Sequence, residues 1–152
     1  MKMRTILYVE DNQLDVDLTK EVLKENNIVN PVVVACDGID ALEYLMCEGQ
    51  YKGRETGNPG MILLDLKMPR MDGLELLAII KKDVKFKRIP VVMLTSSREE
   101  QDLMKVYDLG ANAYVVKPVD FADFADVVKQ IGVFWAIVNE PPPERGPRHE
   151  PQ

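Results

Sequence analysis

Five short runs of consecutive apolar residues punctuate the chain, at Ile6–Val9, Val32–Ala35, Met61–Leu64, 91–94 and Ala113–Val116. Runs this short, continuous rather than alternating and bounded by Gly or Pro, predict parallel strands buried on both faces. The intervening segments show helical spacing instead. Leu14, Leu18, Val22 and Leu23 form the stripe of a first helix, capped by Asn12, with Asp15 in its first turn and Asn26-Asn27 at its end. Asp37-Gly38 turns into a second, with Ile39, Leu42, Leu45 and Met46 facing inward. A third opens at Asp72, where Glu75 stands at capping-box spacing; it buries Leu74, Leu77 and Ile80 or close neighbours and closes on Lys81-Lys82. The fourth is capped by Ser97, carries a narrow stripe of Leu103, Val106 and Tyr107, and stops at Gly110. The last runs over 121–138. Gly53, Gly57, Asn58 and Pro59 make 49–60 a loop. Five strands alternating with five helices predict an α/β fold with a doubly wound parallel sheet.

The polar residues at the strand ends turn this fold into a site. The third run ends in Asp65, the first in Glu10-Asp11, the fourth in Thr95-Ser96-Ser97 and the fifth in Lys117. In a parallel sheet these groups emerge at one edge, where open α/β sheets keep their ligand sites. Three acids, a hydroxyl and an ammonium converging there read most economically as a site that handles phosphoryl groups. Like charges at close range raise one another's pKa, and a hard divalent cation relieves that conflict.

The sequences Val9-Glu10-Asp11-Asn12, Leu64-Asp65-Leu66-Lys67-Met68-Pro69-Arg70-Met71-Asp72-Gly73, Val92-Met93-Leu94-Thr95-Ser96 and Tyr114-Val115-Val116-Lys117-Pro118 occur in this order. Together they resemble the receiver domain of two-component response regulators, over roughly residues 4–138. The resemblance implies a flavodoxin-like (βα)5 fold with strand order 2-1-3-4-5. It implies Asp65 as phosphoacceptor, with Lys117 and Thr95 stabilising the transferred group. It implies Mg2+ held by Asp11, Asp65 and the Lys67 backbone carbonyl, with Glu10 holding a metal-bound water. Glu10 replaces the Asp more usual in the family. Thr95 and Tyr114 take the switch positions, although Tyr114 also reads as ordinary core packing. Lys67 and Ser97 occupy the positions that tune the lifetime of the phosphorylated state, and the peptide from Lys117 to Pro118 is expected cis. More narrowly, Glu10-Asp11, the 49–60 loop and the ending Phe134-Trp135 through Pro141-Pro142-Pro143 resemble the stand-alone regulators that partner phytochrome-type and related sensor histidine kinases.

Composition limits the alternatives. A chain of 152 residues accommodates one receiver, expected at 1–138, and a proline-rich mobile tail at 139–152, with no separate output domain. A net charge of −6 without a basic stripe speaks against nucleic acid. No run is long enough to span a membrane and the start carries no secretion signal, so a cytoplasmic location is expected. Cys36 and Cys47 lack metal-ligand spacing and are assigned no function. His149, the only histidine, lies in the tail rather than on a helix, so no onward transfer from it is expected. The last helix carries more apolar residues than one inward stripe can hold; Phe134, Trp135 and Val138 are expected to form a homodimer face with the Tyr107 helix and the fifth strand. A degenerate receiver used as a docking scaffold is a rival reading. A hydrolase working through an aspartyl phosphate is another, but the general acid it needs two residues after Asp65 is here Lys67. A nucleotide-binding or flavodoxin-like module lacks its glycine-rich phosphate loop after the first strand.

Overall fold

The computed structural model describes residues 4–143. In chain order the elements are β1 (Ile6–Val9), α1 (Gln13–Glu25), β2 (Val32–Ala35), α2 (Gly38–Met46), a single 3-10 turn (Gly49–Tyr51), β3 (Met61–Leu64), α3 (Gly73–Lys82), β4 (Val91–Thr95), α4 (Glu100–Leu109), β5 (Ala113–Val116) and α5 (Phe121–Ile131). Gly132–Val138 continues α5 as a π-helix. All strand pairs are parallel and the order is β2-β1-β3-β4-β5, as the family resemblance implied.

Because side chains alternate along a strand, each apolar run feeds two cores at once. Leu7, Val9, Ile62, Leu64 and Met93 pack against α2, α3 and α4. Ile6, Tyr8, Leu63, Val92 and Leu94 pack against α1 and α5. Continuous apolarity was therefore required, and the polar residues that end the runs all lie beyond the same edge.

The helices differ from the expected stripes in instructive ways. On α1 the buried positions are Val16, Thr19, Val22 and Leu23, while Leu14 is 80% exposed. A polar residue occupies the inward stripe because the Thr19 hydroxyl pairs with the buried Tyr8 hydroxyl at 3.2 Å. On α2 the core side is Ala41, Tyr44 and Leu45, and Met46 is exposed. The capping box of α3 forms as expected, and its core residues are Leu76, Leu77 and Ile80, with Leu74 half-buried.

Ser97 does not cap α4. The helix begins later, after Glu99, which makes no side-chain cap bond; the Ser97 hydroxyl accepts from Glu99 N at 3.3 Å, ahead of the helix, and donates to Asp102 at 2.7 Å. Val106 and Asp102 are the buried residues of α4, whereas Leu103 and Tyr107 are 37% and 48% exposed. The expected helix over 121–138 holds its α form to Ile131 and then widens. Gly132 sits so close to Leu23 and Ile28 that an added Cβ would come within 2.6 Å of both side chains. The peptide from Lys117 to Pro118 is trans, since no cis peptide occurs among the described residues.

Far from the site, at the amino ends of the strands, Arg4 Nη2 donates to the Pro142 carbonyl at 3.4 Å. The rest of the expected tail, including His149, lies outside the described residues. Among the described residues no helix is long and apolar enough to cross a membrane.

Candidate functional site

β1, β3, β4 and β5 each deliver a polar group to the carboxyl edge of the sheet, and backbone bonds hold the strand ends together. Glu10 N donates to Ala35 O, Asp65 N to Val9 O and Lys117 N to Thr95 O. Glu10, Asp11 and Asp65 thereby come to offer carboxylate oxygens that all lie within 4.8 Å of one another. Glu10 and Asp65 are buried and Asp11 is exposed. Such an all-oxygen set suits a hard cation that keeps several waters, and the neighbouring Lys67 carbonyl lies on the same loop.

Lys117 closes the other side. Its ammonium bonds Glu10 Oε1 at 2.7 Å and Asp15 Oδ2 at 2.8 Å, and it lies 3.6 Å from Asp65 Oδ2. Burial works against this charge, but the hydrogen bonds to Asp15 and Glu10 and the field of Asp65 outweigh it and hold the ammonium above its ordinary range. Glu10 has the opposite balance. Burial, with Asp65 adding to it, pushes its carboxyl up to about 7, against the opposing Lys117 ammonium and the Asn12 N–H. One further bond to Asp65 is local: Leu66 N donates to its Oδ1 at 2.8 Å.

The loop after β3, residues 65–72, is built tightly. Gly73 N donates to Leu66 O at 2.8 Å. A Cβ on Gly73 would overlap the Asp65 carbonyl oxygen and stand 2.9 Å from Leu66 Cα. Arg70, at φ +58°, forks onto buried Asp37 with bonds of 2.6 and 3.0 Å. Burial alone would raise the Asp37 carboxyl, but Arg70 and the Asp40 N–H hold it below its usual range. Gly38 N donates to Met71 O at 2.9 Å.

The loop after β4, residues 96–99, is held more lightly. Thr95 is fully buried and its hydroxyl accepts from Ser97 N at a long 3.4 Å. The half-buried Tyr114 donates its hydroxyl to Ser97 O at 3.0 Å. The side chain of Lys67 is exposed, and that of Ser97 is partly buried against Asp102.

The sequence reading therefore named Glu10, Asp11, Asp65 and Lys117, which the fold gathers, and Thr95 and Tyr114, which flank them. It missed Asp15, taken only as a helix-terminal acid, because its partner Lys117 lies 102 residues away. It also missed the Asp37 and Arg70 pair, which lie 33 residues apart and carry no local sign of each other.

Comparison with known proteins agrees with this geometry. Residues 6–129 match the model of the response regulator receiver domain. The chain is 40% identical over 132 residues to the response regulator Rcp1 of Synechocystis sp. (strain ATCC 27184 / PCC 6803 / Kazusa), covering 87% of this chain and 88% of that protein. It superposes with a TM-score of 0.86 on the phosphorylated cyanobacterial phytochrome response regulator RcpA, at 40% identity, over 93% of this chain and 99% of that one. The Mn(2+)-bound form of Rcp1 gives the same TM-score at 38% identity, over 92% and 99% of the two chains. With the family model spanning most of its length and the sheet order and acidic edge to match, this chain belongs to the response regulator receiver domain family and is a signalling protein of two-component systems.

Proposed function

We propose that the chain is a response regulator receiver that accepts a phosphoryl group on Asp65 from a sensor histidine kinase. The observation that carries this is the meeting of three carboxylates within 4.8 Å of one another with an ammonium 3.6 Å from Asp65. An Asp65 oxygen forms the new bond to phosphorus as the phosphorus–nitrogen bond to the kinase imidazole breaks. The leaving nitrogen keeps the bonding pair and takes up a proton. Catalysis is then positioning and neutralisation, because the transition state spreads charge over three oxygens. Lys117 answers one of them, and the Thr95 hydroxyl with neighbouring N–H groups answers another. Asp11, Asp65 and the Lys67 carbonyl would hold Mg2+, with Glu10 on a bound water; the cation supplies the remaining neutralisation when bound. Water later attacks phosphorus and restores Asp65, and Lys67 and Ser97 flank its approach.

The mark is read through Thr95. When phosphoryl oxygens draw its hydroxyl inward, the long bond from Ser97 N is lost. The loop that Tyr114 grips through Ser97 O then moves with it. The receiving surface in this reading is the α4-β5-α5 face, where Leu103 and Tyr107 of α4 are exposed; Trp135, expected on the same face, lies instead at the amino ends of the strands, beside Arg4, Asn27 and Val29. The occupant of the α4-β5-α5 face is then a second copy of the chain. The names of the relatives support a phytochrome-type kinase as partner, and a cytoplasmic location follows from such a partner. Residues 1–138 form the receiver and 139–152 its tail.

The test is intact-mass measurement after incubation with acetyl phosphate, with and without Mg2+. Wild type gains one phosphoryl group only with Mg2+, and Asp65→Asn gains none. A chain that stays unmodified under all conditions is a docking scaffold instead. Light scattering at micromolar concentration tests the dimer, which a monomer both with and without phosphorylation would discard.

A further inference from the structure

The ammonium of Lys117 has three N–H donors, and in the resting chain two are committed, to Glu10 at 2.7 Å and Asp15 at 2.8 Å. The 3.6 Å separation from Asp65 is an ion pair but too long for a hydrogen bond. With the Lys117 side chain only 12% exposed, water is a weak competitor and the carboxylates decide where the ammonium sits. These two carboxylates are not equivalent. Glu10 is 1% exposed and is also held by Asn12 N, so stripping its cation would leave a buried charge. Asp15 is 25% exposed and stands in the first turn of α1, where Asn12 Oδ1 accepts from its N–H. Released, it can turn to solvent and rehydrate.

We propose that Asp15 is a positioning residue that acts as a catch, competing with the incoming phosphoryl group for Lys117. This rests on the reading of Asp65 as acceptor. An anion arriving at Asp65 draws the ammonium away from Asp15, the partner that costs least to release. Glu10 stays in contact. The Asp15 carboxylate therefore opposes occupancy of the site in the resting chain and sets how readily it fills.

Beryllofluoride, a stable surrogate for the phosphoryl group, tests this at equilibrium with Mg2+ present, read by amide chemical shifts. The initial rate of phosphoryl gain from acetyl phosphate, read by intact mass, tests it kinetically. Asp15→Asn removes the charge at constant shape and binds beryllofluoride about fivefold tighter, with a similar gain in rate, the size of one charge-assisted hydrogen bond exchanged for a weaker one. Asp15→Glu keeps the charge and stays near wild type. A residue of merely structural importance would lose affinity when replaced, so the sign separates the two roles. If wild type binds beryllofluoride while Asp15→Asn binds it equally or more weakly, or if Asp15→Glu tightens as Asp15→Asn does, the catch is refuted and Asp65 stands as acceptor. If wild type takes up neither beryllofluoride nor a phosphoryl group, the acceptor reading falls and the catch with it.

Discussion

Two loops leave neighbouring strands beside Asp65, and they are built on opposite principles. The β3–α3 loop is pinned from several directions. The α2 start holds it through Gly38 N to Met71 O and the Asp37–Arg70 fork, and the α3 start holds it through Gly73 and the capping box. The β4–α4 loop makes chiefly local bonds, one of them long, and opens into a helix without a side-chain cap. Among the described residues, the hydrogen bond reaching it from outside β4 and α4 is that of Tyr114. The contrast teaches a division of labour. Under the proposed function, a nucleophile and its metal ligands would have to hold geometry to a fraction of an ångström, while a reporter would need a second arrangement within a few kcal/mol.

The comparison is broken most severely at Gly73. Gly73→Ala forces a methyl group into the Asp65 backbone and destabilises the fold by about 3 kcal/mol or more, read as a lower urea midpoint. A loss under about 1 kcal/mol would mean that the loop is softer than its contacts imply. Next comes Asp37→Ala, which removes the N-cap of α2 together with the partner of Arg70. It costs about 2 kcal/mol and speeds amide exchange in 66–72 more than in 96–99. Equal acceleration in both loops would erase the distinction.

A third test uses pH, because the buried Glu10, at the end of β1, faces Asp65 at the root of the pinned loop. The Glu10 carboxyl is raised from its ordinary 4.5 to about 7, so the fold favours its neutral form. Its contribution to stability is complete below the ordinary value and is lost as pH rises through about 7. Without divalent cations the unfolding free energy from urea melts should fall between about pH 4.5 and 7.5, by about 1–2 kcal/mol after allowing for Lys117. Mg2+ should flatten the slope and Glu10→Gln should remove it; a slope that survives in Glu10→Gln would assign it elsewhere. The smallest effect is expected on the more lightly held side. Tyr114→Phe deletes the bond to Ser97 O and costs about 0.5–1 kcal/mol while weakening the response of α4 amides to phosphorylation. An unchanged response would return Tyr114 to ordinary packing.

The sheet was legible because strands buried on both faces must be apolar at every position, as 61–64 and 91–94 are. The carboxyl edge was legible because Asp65, Glu10-Asp11 and Lys117 interrupt those runs at matching places. The helix faces were less so. Thr19 points inward and Leu14 outward because a hydroxyl pair with Tyr8 makes a polar residue acceptable in the core. Ser97 looked like a cap, and only the folded chain shows its hydroxyl spent on Asp102. The fork between Asp37 and Arg70 and the bond between Asp15 and Lys117 join residues remote in sequence, and propensity carries no record of such partners.

The contact between Arg4 and the Pro142 carbonyl brings the two ends of the described chain to one pole of the molecule. Asp65 sits at the other, a strand's length away, about 13 Å for four residues. A dye attached at Arg4 or Pro142 would sit beneath the sheet, on the far side from Asp65, and should leave the carboxyl edge unobstructed.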